Sequence, residues 1–204
     1  MSQLKLTADG GGGTVSLKGP ASTTGNAAIE LTVPGTGNAT LLTSATNTGK
    51  VLQVVSTTKT DHFTHNSTTV TDITGLSVSI TPSSASSKIF ITADIFMSGV
   101  ANTYAGFRLL RDSTAIRQTT AIDGTDNRFM GTIGAHVDQN RYVRSVGLSF
   151  LDTTHNSTSS LTYKIAVASL YGSNTVHINR TGDATNLLYP QAGSSTITAM
   201  EIAT

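Results

Sequence analysis

The sequence predicts an all-β protein, an extended N-terminal leader followed by an antiparallel sandwich or jelly roll. Three observations carry that expectation. Apolar residues recur at every second position in short runs, with no sustained helical stripe. β-branched residues crowd those runs, which suits a pleated strand better than a helix. Turns rich in Gly, Ser, Thr and Asn separate the runs, and these residues supply the backbone conformations that reversals need.

Residues 1–50 form the leader. Its apolar positions come in small alternating sets, Leu4 and Leu6, then Val15 and Leu17, then Ile29, Leu31 and Val33. None of these sets can enclose a core, so the segment is expected to gain order by pairing strands with sister chains or with a larger assembly. Those seven residues are its candidate assembly anchors. DGGGG at 9–13 lacks the Lys-Ser/Thr ending and following helix of a phosphate loop, and reads as a hairpin connection between LKLTA and TVSLK.

Residues 51–204 read as one β-domain of roughly ten strands. In LSVSI, Leu76, Val78 and Ile80 share a face. After the turn TPSSASS, KIFITADIFM places Ile89, Ile91, Ala93, Ile95 and Met97 together, with Phe90, Thr92, Asp94 and Phe96 opposite, as in a central strand covered on both sides. YAGFRLLRD and TAIRQT form a hairpin about Arg111-Asp112-Ser113. RFMGTIGAHV alternates through Phe129, Ile133 and Val137, and YVRSVGLSFL through Val146, Leu148 and Phe150. LTYKIAVASLY aligns Leu161, Tyr163, Ile165, Val167 and Tyr171, and NTVHIN and STITAMEIA complete the set. A short helix or turn is allowed near Ala184–Leu188.

Composition excludes several classes. Charged residues are 12% of the chain and the net charge is +1, against an electrostatic grip on nucleic acid, which needs clustered Lys and Arg. Arg108, Arg111 and Arg117 are the nearest thing to a cluster and fit a solvated hairpin. No stretch approaches the ~20 apolar residues of a membrane span. The opening MSQLKLTADG has neither the positive flank nor the apolar core of a signal peptide, and is expected to be a cytoplasmic start. With no cysteine, there is no disulfide, thiolate metal site or Cys nucleophile.

The remaining motifs favour bland readings. Of the five histidines, only His62 and His65 are close, and a spacing of three in a strand sends them to opposite faces. No metal or other cofactor is expected, although a three-fold axis could gather one His from each of three chains. There is no G-x-S-x-G elbow and no obvious carboxylate pair, so no catalytic residue is assigned and the chain is not expected to be an enzyme. Asp123–Asn127 is a turn lacking the bidentate Glu of an EF-hand. Asn38, Asn66, Asn156 and Asn179 stand in glycosylation-type triplets of the kind chance supplies in such a composition. Thr64–Thr68 recurs as Thr154–Thr158, both THNST, and two copies make similar loops rather than a repeat architecture.

The order of several segments resembles a known family. The leader carries TVSLKGPAS, AIELTVPGTGNATLL and GKVLQVV. The body carries TDITGLSVSITPSSASSKIFI, RLLRDSTAI, FLDTTHNSTSSLTYKI, VHINR and STITAMEI. Together these resemble bacteriophage tail-fibre-type virion structural proteins, of a kind common in phages of marine bacteria. The resemblance implies a homotrimer whose body is a jelly roll similar to tumour necrosis factor or complement-type heads. It implies a virion location after assembly in the host cytoplasm, with other virion proteins of tail, neck or capsid as partners. The near-absence of a shaft between leader and head favours a stubby projection. The function expected is a short tail fibre or tail-associated projection, held by its leader and meeting a host surface glycan or outer-membrane receptor. Tyr104, Asp126, Asn127 and Arg128 are candidate receptor contacts, because aromatic and Arg side chains on loops suit sugars. A capsid decoration, cement or head-fibre protein is one alternative. A stand-alone carbohydrate-binding module is another, and would not need an ordered leader.

Overall fold

The computed structural model describes residues 49–100, 103–116, 142–170, 174–182 and 191–204. The chain divides into two units, Met1–Thr43 and Ser44–Thr204, and all described residues belong to the second. Residues 1–48 of the leader with its seven anchor positions, the run at 128–137 and the segment near 184–188 lie outside the described residues.

The described residues form ten strands: β1 Val51–Lys59, β2 Phe63–His65, β3 Thr71–Ile80, β4 Lys88–Gly99, β5 Ala105–Arg111, β6 Thr114–Ala115, β7 Arg144–Asp152, β8 Leu161–Ser169, β9 Val176–Ile178 and β10 Ser195–Ile202. All their pairings are antiparallel. The described residues contain no helix.

In the first sheet β10 pairs β1 and β4, and β7 lies on the other flank of β4. The second sheet runs β3-β8-β5-β6. Setting aside the short β2 and β9, each sheet interleaves strands from both ends of the domain, and among the described strands only β5 and β6 form a hairpin. Every other link between consecutive long strands crosses from one sheet to the other. This is jelly-roll topology.

The expected phases hold on the described strands. Ile89, Ile91, Ala93, Ile95 and Met97 of β4 are buried, as are Leu76, Val78 and Ile80 of β3 and Leu161, Tyr163, Ile165 and Val167 of β8. They meet Ile73, Phe107, Leu109, Val176, Ile178, Ile197 and Ala199 in one core between the sheets. Each such large side chain contributes about 1.5–3 kcal/mol by leaving water. The Arg111-Asp112-Ser113 turn is a hairpin, with Asp112 at φ 55°.

β3 departs from plain alternation. Ile73 and Leu76 are both buried although three residues apart. A bulge between Asp72 and Ser77 resets the phase, and Gly75 provides it at φ +81°.

β1 and β2 make an interrupted edge. β1 pairs β10 and β2 pairs β9, while β10 pairs Lys88–Asp94 of β4 and β9 takes over at Met97–Gly99. Asn179, at φ 64°, fastens this break. Its Nδ2 donates to the carbonyls of Lys59 (2.8 Å) and Asp61 (3.0 Å), and its Oδ1 accepts from Ser195 Oγ (2.6 Å). Its backbone N–H donates to the Phe96 carbonyl at 2.8 Å.

Candidate functional site

Besides the Asn179 junction, buried polar side chains among the described residues converge at three further places, two of them set by strand phase. In β7 the inward series Val146, Leu148, Phe150 ends on Asp152, and in β5 the series Ala105, Phe107, Leu109 ends on Arg111. The two ends meet across the sandwich. Arg111 Nη1 lies 2.6 Å from Asp152 Oδ2, which also accepts from Tyr163 Oη of β8 at 2.8 Å. Asp152 Oδ1 takes the backbone N–H and the hydroxyl of Thr154, at 2.9 and 3.0 Å. Burial alone would raise the Asp152 carboxyl. The hydrogen bonds from Thr154, Tyr163 and Arg111, with the Arg111 charge, outweigh burial and hold it below the usual range. Burial, then the hydrogen bond to Asp152, pushes the Tyr163 phenol up. Both carboxylate oxygens are engaged by donors from within the chain. The cluster is therefore built to lock the two sheets together.

Glu201 is the second place. It continues the inward phase of Ile197 and Ala199 in β10 and is fully buried. Gln53 Nε2 donates at 2.6 Å, and the Ser83 N–H and hydroxyl each donate at 2.7 Å. Burial opposes ionisation, but donors from Gln53, Ser83 and Ser87 prevail and bring its pKa to about 2. The carboxylate ties the turn after β3 to β10 and β1. The third place is β9, where the buried His177 ring lies 3.3 Å from Arg180 Nη2. Burial, then the Arg180 charge, pushes His177 down.

Among the residues singled out from sequence, Tyr104 is described. It is half-buried just before β5, and its carbonyl accepts from Leu170 N–H at 2.7 Å. Asp126, Asn127 and Arg128 lie outside the described residues. Among the described residues no three His, Asp or Glu side chains gather as a metal site. The two THNST copies differ. His65 is half-buried, its Nε2 2.8 Å from the Thr69 carbonyl. His155 is buried, with Nε2 2.6 Å from the Ser87 carbonyl, and Asn156 behind it turns at φ 45°.

The outer faces of the two sheets contrast. The second carries the Asp72–Lys164 ion pair at 2.6 Å and the Ser79–Thr162 hydroxyl pair. The first carries an apolar row that crosses all four strands in register, Val54 opposite Met200, Met200 opposite Phe90, and Phe90 opposite Leu151. Val54 is 55% exposed and Leu151 41%. At the near corner a bulge leaves Val51 and Leu52 exposed beside Ile202. Beyond the apolar row come hydroxyl rows, Ser56–Thr198–Thr92–Ser149 and then Thr58–Thr196, followed by Asp94, which bonds Ser145.

Strand order and pairing define the described body as a jelly-roll β-sandwich. No protein-family model matches the chain, and no curated protein matches it. Among solved structures, that of infectious bursal disease virus Gt strain is 13% identical at a TM-score of 0.36, over 82% of this chain and 43% of that one. The crystal structure of the infectious bursal disease virus VP2 subviral particle is 14% identical at 0.35, over 74% and 38%. The T13 particle of the same virus is 13% identical at 0.37, over 74% and 36%. The chain spans less than half the length of these structures. The fold assignment rests on the strand pairing and not on this likeness.

Proposed function

We propose that this chain is a phage virion structural protein, a short homotrimeric tail fibre or tail-associated projection. Its leader, residues 1–50, attaches it to other virion proteins through Leu4, Leu6, Val15, Leu17, Ile29, Leu31 and Val33. Its β-domain, residues 51–204, meets the host surface, with Tyr104, Asp126, Asn127 and Arg128 among the contacts. It works without a cofactor or enzymatic step.

One observation carries this reading. TVSLKGPAS, AIELTVPGTGNATLL and GKVLQVV follow one another as in the family the leader resembles, and GKVLQVV runs directly into β1 of a jelly roll. A leader with so little to bury gains order only in company. The buried Asp152 and Glu201 clusters, which tie separate strands together, suit a head that must keep its shape outside a cell. Deleting residues 1–50 tests the reading. The β-domain is expected to stay folded while incorporation into particles is lost. Normal incorporation of the truncated chain would overturn the anchoring role.

A further inference from the structure

We infer that Arg180 and His177, at the end of β9, form a binding site for an oxyanion, with Thr64 of β2 beside them. The ligand is a sulfate-, phosphate- or carboxylate-type group, either free or carried on a polymer. The inference goes beyond the reading above and does not depend on it. His177 stands in register with Thr64 of β2 on one side and Ser98 of β4 on the other. Its ring is buried, and Arg180 Nε and Nη2 lie 3.4 and 3.3 Å from its Nδ1. A guanidinium keeps all its protons, so Nδ1 is the acceptor and the ring carries its proton on Nε2. This contact takes one edge of the planar fork. The other edge, Nη1 and Nη2, has the geometry that receives two oxygens of one anion. Among the described residues Nη1 has no hydrogen-bond acceptor and the guanidinium has no carboxylate partner.

The fork is held before any ligand arrives. The Arg180 carbonyl accepts from Ser98 Oγ at 2.7 Å, and Arg180 pairs with Ala192 in an antiparallel bridge. A guanidinium fixed at its base and along one edge loses little freedom on binding. Thr64 is exposed, and its cross-strand position puts a hydroxyl next to His177 on the same face. Charge selects the ligand class. The strands paired with β9 are β2 and β4. On β2 and the residues leading into it the ionisable groups are Asp61, His62 and His65, and on β4 they are Lys88 and Asp94. Lys59 takes Asp61 at 2.7 Å, Ser145 takes Asp94, and His65 Nε2 lies 2.8 Å from the Thr69 carbonyl. Lys88 is at the opposite end of β4 from Ser98. Residues 191–194 carry no ionisable side chain. No acid on these elements answers Arg180, so the pair offers positive charge and N–H donors to an anion.

Proton uptake strengthens the site. While Nδ1 accepts from Arg180 the ring is neutral. A proton on Nδ1 turns that acceptor into a donor and sets a second cation beside the guanidinium. An oxyanion bridging the two removes the conflict, because each group then donates to an oxygen. Anion binding and His177 protonation therefore favour each other, by the same factor in both directions.

The test uses the full chain and sulfate, whose charge is constant over the range, against chloride at matched ionic strength. NMR follows the five histidine rings through a pH titration. Sulfate should raise the midpoint of His177 and leave that of His155, held against the Ser87 carbonyl, where it is. Calorimetry should show sulfate binding at least threefold tighter at about pH 5.5 than at about pH 7.5. Arg180→Gln should abolish binding with an unchanged circular dichroism spectrum. His177→Asn, whose amide oxygen accepts from Arg180 without taking a proton, should still bind and should lose the dependence on pH. A hexuronic acid oligosaccharide tested beside sulfate separates the sources. Tighter binding than sulfate assigns a polymer-borne group, and equal or weaker binding a free anion. A wild-type His177 midpoint that sulfate does not move overturns the site, as does a shift shared equally by all five rings. An Arg180→Gln variant that binds like the wild type overturns it too.

Discussion

Tyr163 Oη of β8 donates to Asp152 Oδ2 of β7 at 2.8 Å, joining the two sheets through the buried end of the sandwich. Arg111 reaches the same oxygen, so one carboxylate answers a phenol and a guanidinium from two strands of the opposite sheet. Tyr163→Phe removes one donor while Arg111 and Thr154 remain. Its expected cost is about 1–3 kcal/mol. Asp152→Ala leaves a guanidinium and a phenol without their acceptor and should cost about 3–5 kcal/mol. Urea unfolding of both variants measures the difference. Equal costs would show that Arg111 does not depend on Asp152.

Acid should loosen the fold through Glu201. Its carboxyl is held at about 2 against an ordinary 4.5. A depressed folded pKa means that the stabilisation is complete above pH 4.5. Below that the unfolded chain takes up the proton first, and stability falls until about pH 2, by on the order of 3 kcal/mol. His177 acts in the same direction at higher pH. Burial and Arg180 keep it neutral in the fold, so stability begins to fall as pH drops below 6.5. Unfolding free energy measured from pH 7 to pH 2 should show both losses. Glu201→Gln should flatten the lower one, and an unchanged slope in that variant would assign the acid loss elsewhere.

The bulge in β3 offers a backbone test. A Cβ on Gly75 would meet nothing closer than 3.7 Å, so space is not the constraint. Its φ of +81° is, and an L-residue there carries about 1–2 kcal/mol of strain. Gly75→Ala should lower the unfolding free energy by that amount, with the spectrum unchanged. A neutral result would mean that β3 can straighten without displacing Ile73 or Leu76.

Asn179 closes the gap between β1 and β2 with three side-chain hydrogen bonds. Asn179→Ala should cost about 2–4 kcal/mol, because it leaves buried carbonyls unanswered and puts alanine at φ 64°. Hydrogen exchange should show the loss first in β2 and β9. Uniform loss across β4 and β8 would make the junction part of the global unit instead.

Period-two phase made most of the described body legible in the sequence. The inward faces of β4 and β8 follow directly from the alternation of Ile89 to Met97 and Leu161 to Val167. The same rule marks the polar locks, since Asp152, Arg111 and Glu201 each continue an inward series. A charge in phase with a core face must find partners. That signal was missed because it lies at strand ends, where alternation is easily read as finished. Ile73 escaped because the Gly75 bulge shifts its phase. The strand character of 51–59 was hidden because GKVLQVV reads as the end of the leader, although it is the edge of the sheet. Which apolar rows face outward in register depends on pairing between Val54, Met200, Phe90 and Leu151, residues far apart in the chain, and alternation alone does not supply it.

Whether this chain is built into a viral particle, as proposed, is tested most directly by imaging gold-labelled antibody against residues 51–204 on phage particles from a lysate in which the chain is expressed. Label is expected at regular positions on the particle, in projections of three copies, and none on particles made with the chain lacking residues 1–50. Label confined to the soluble fraction of the lysate, with particles bare, would contradict it.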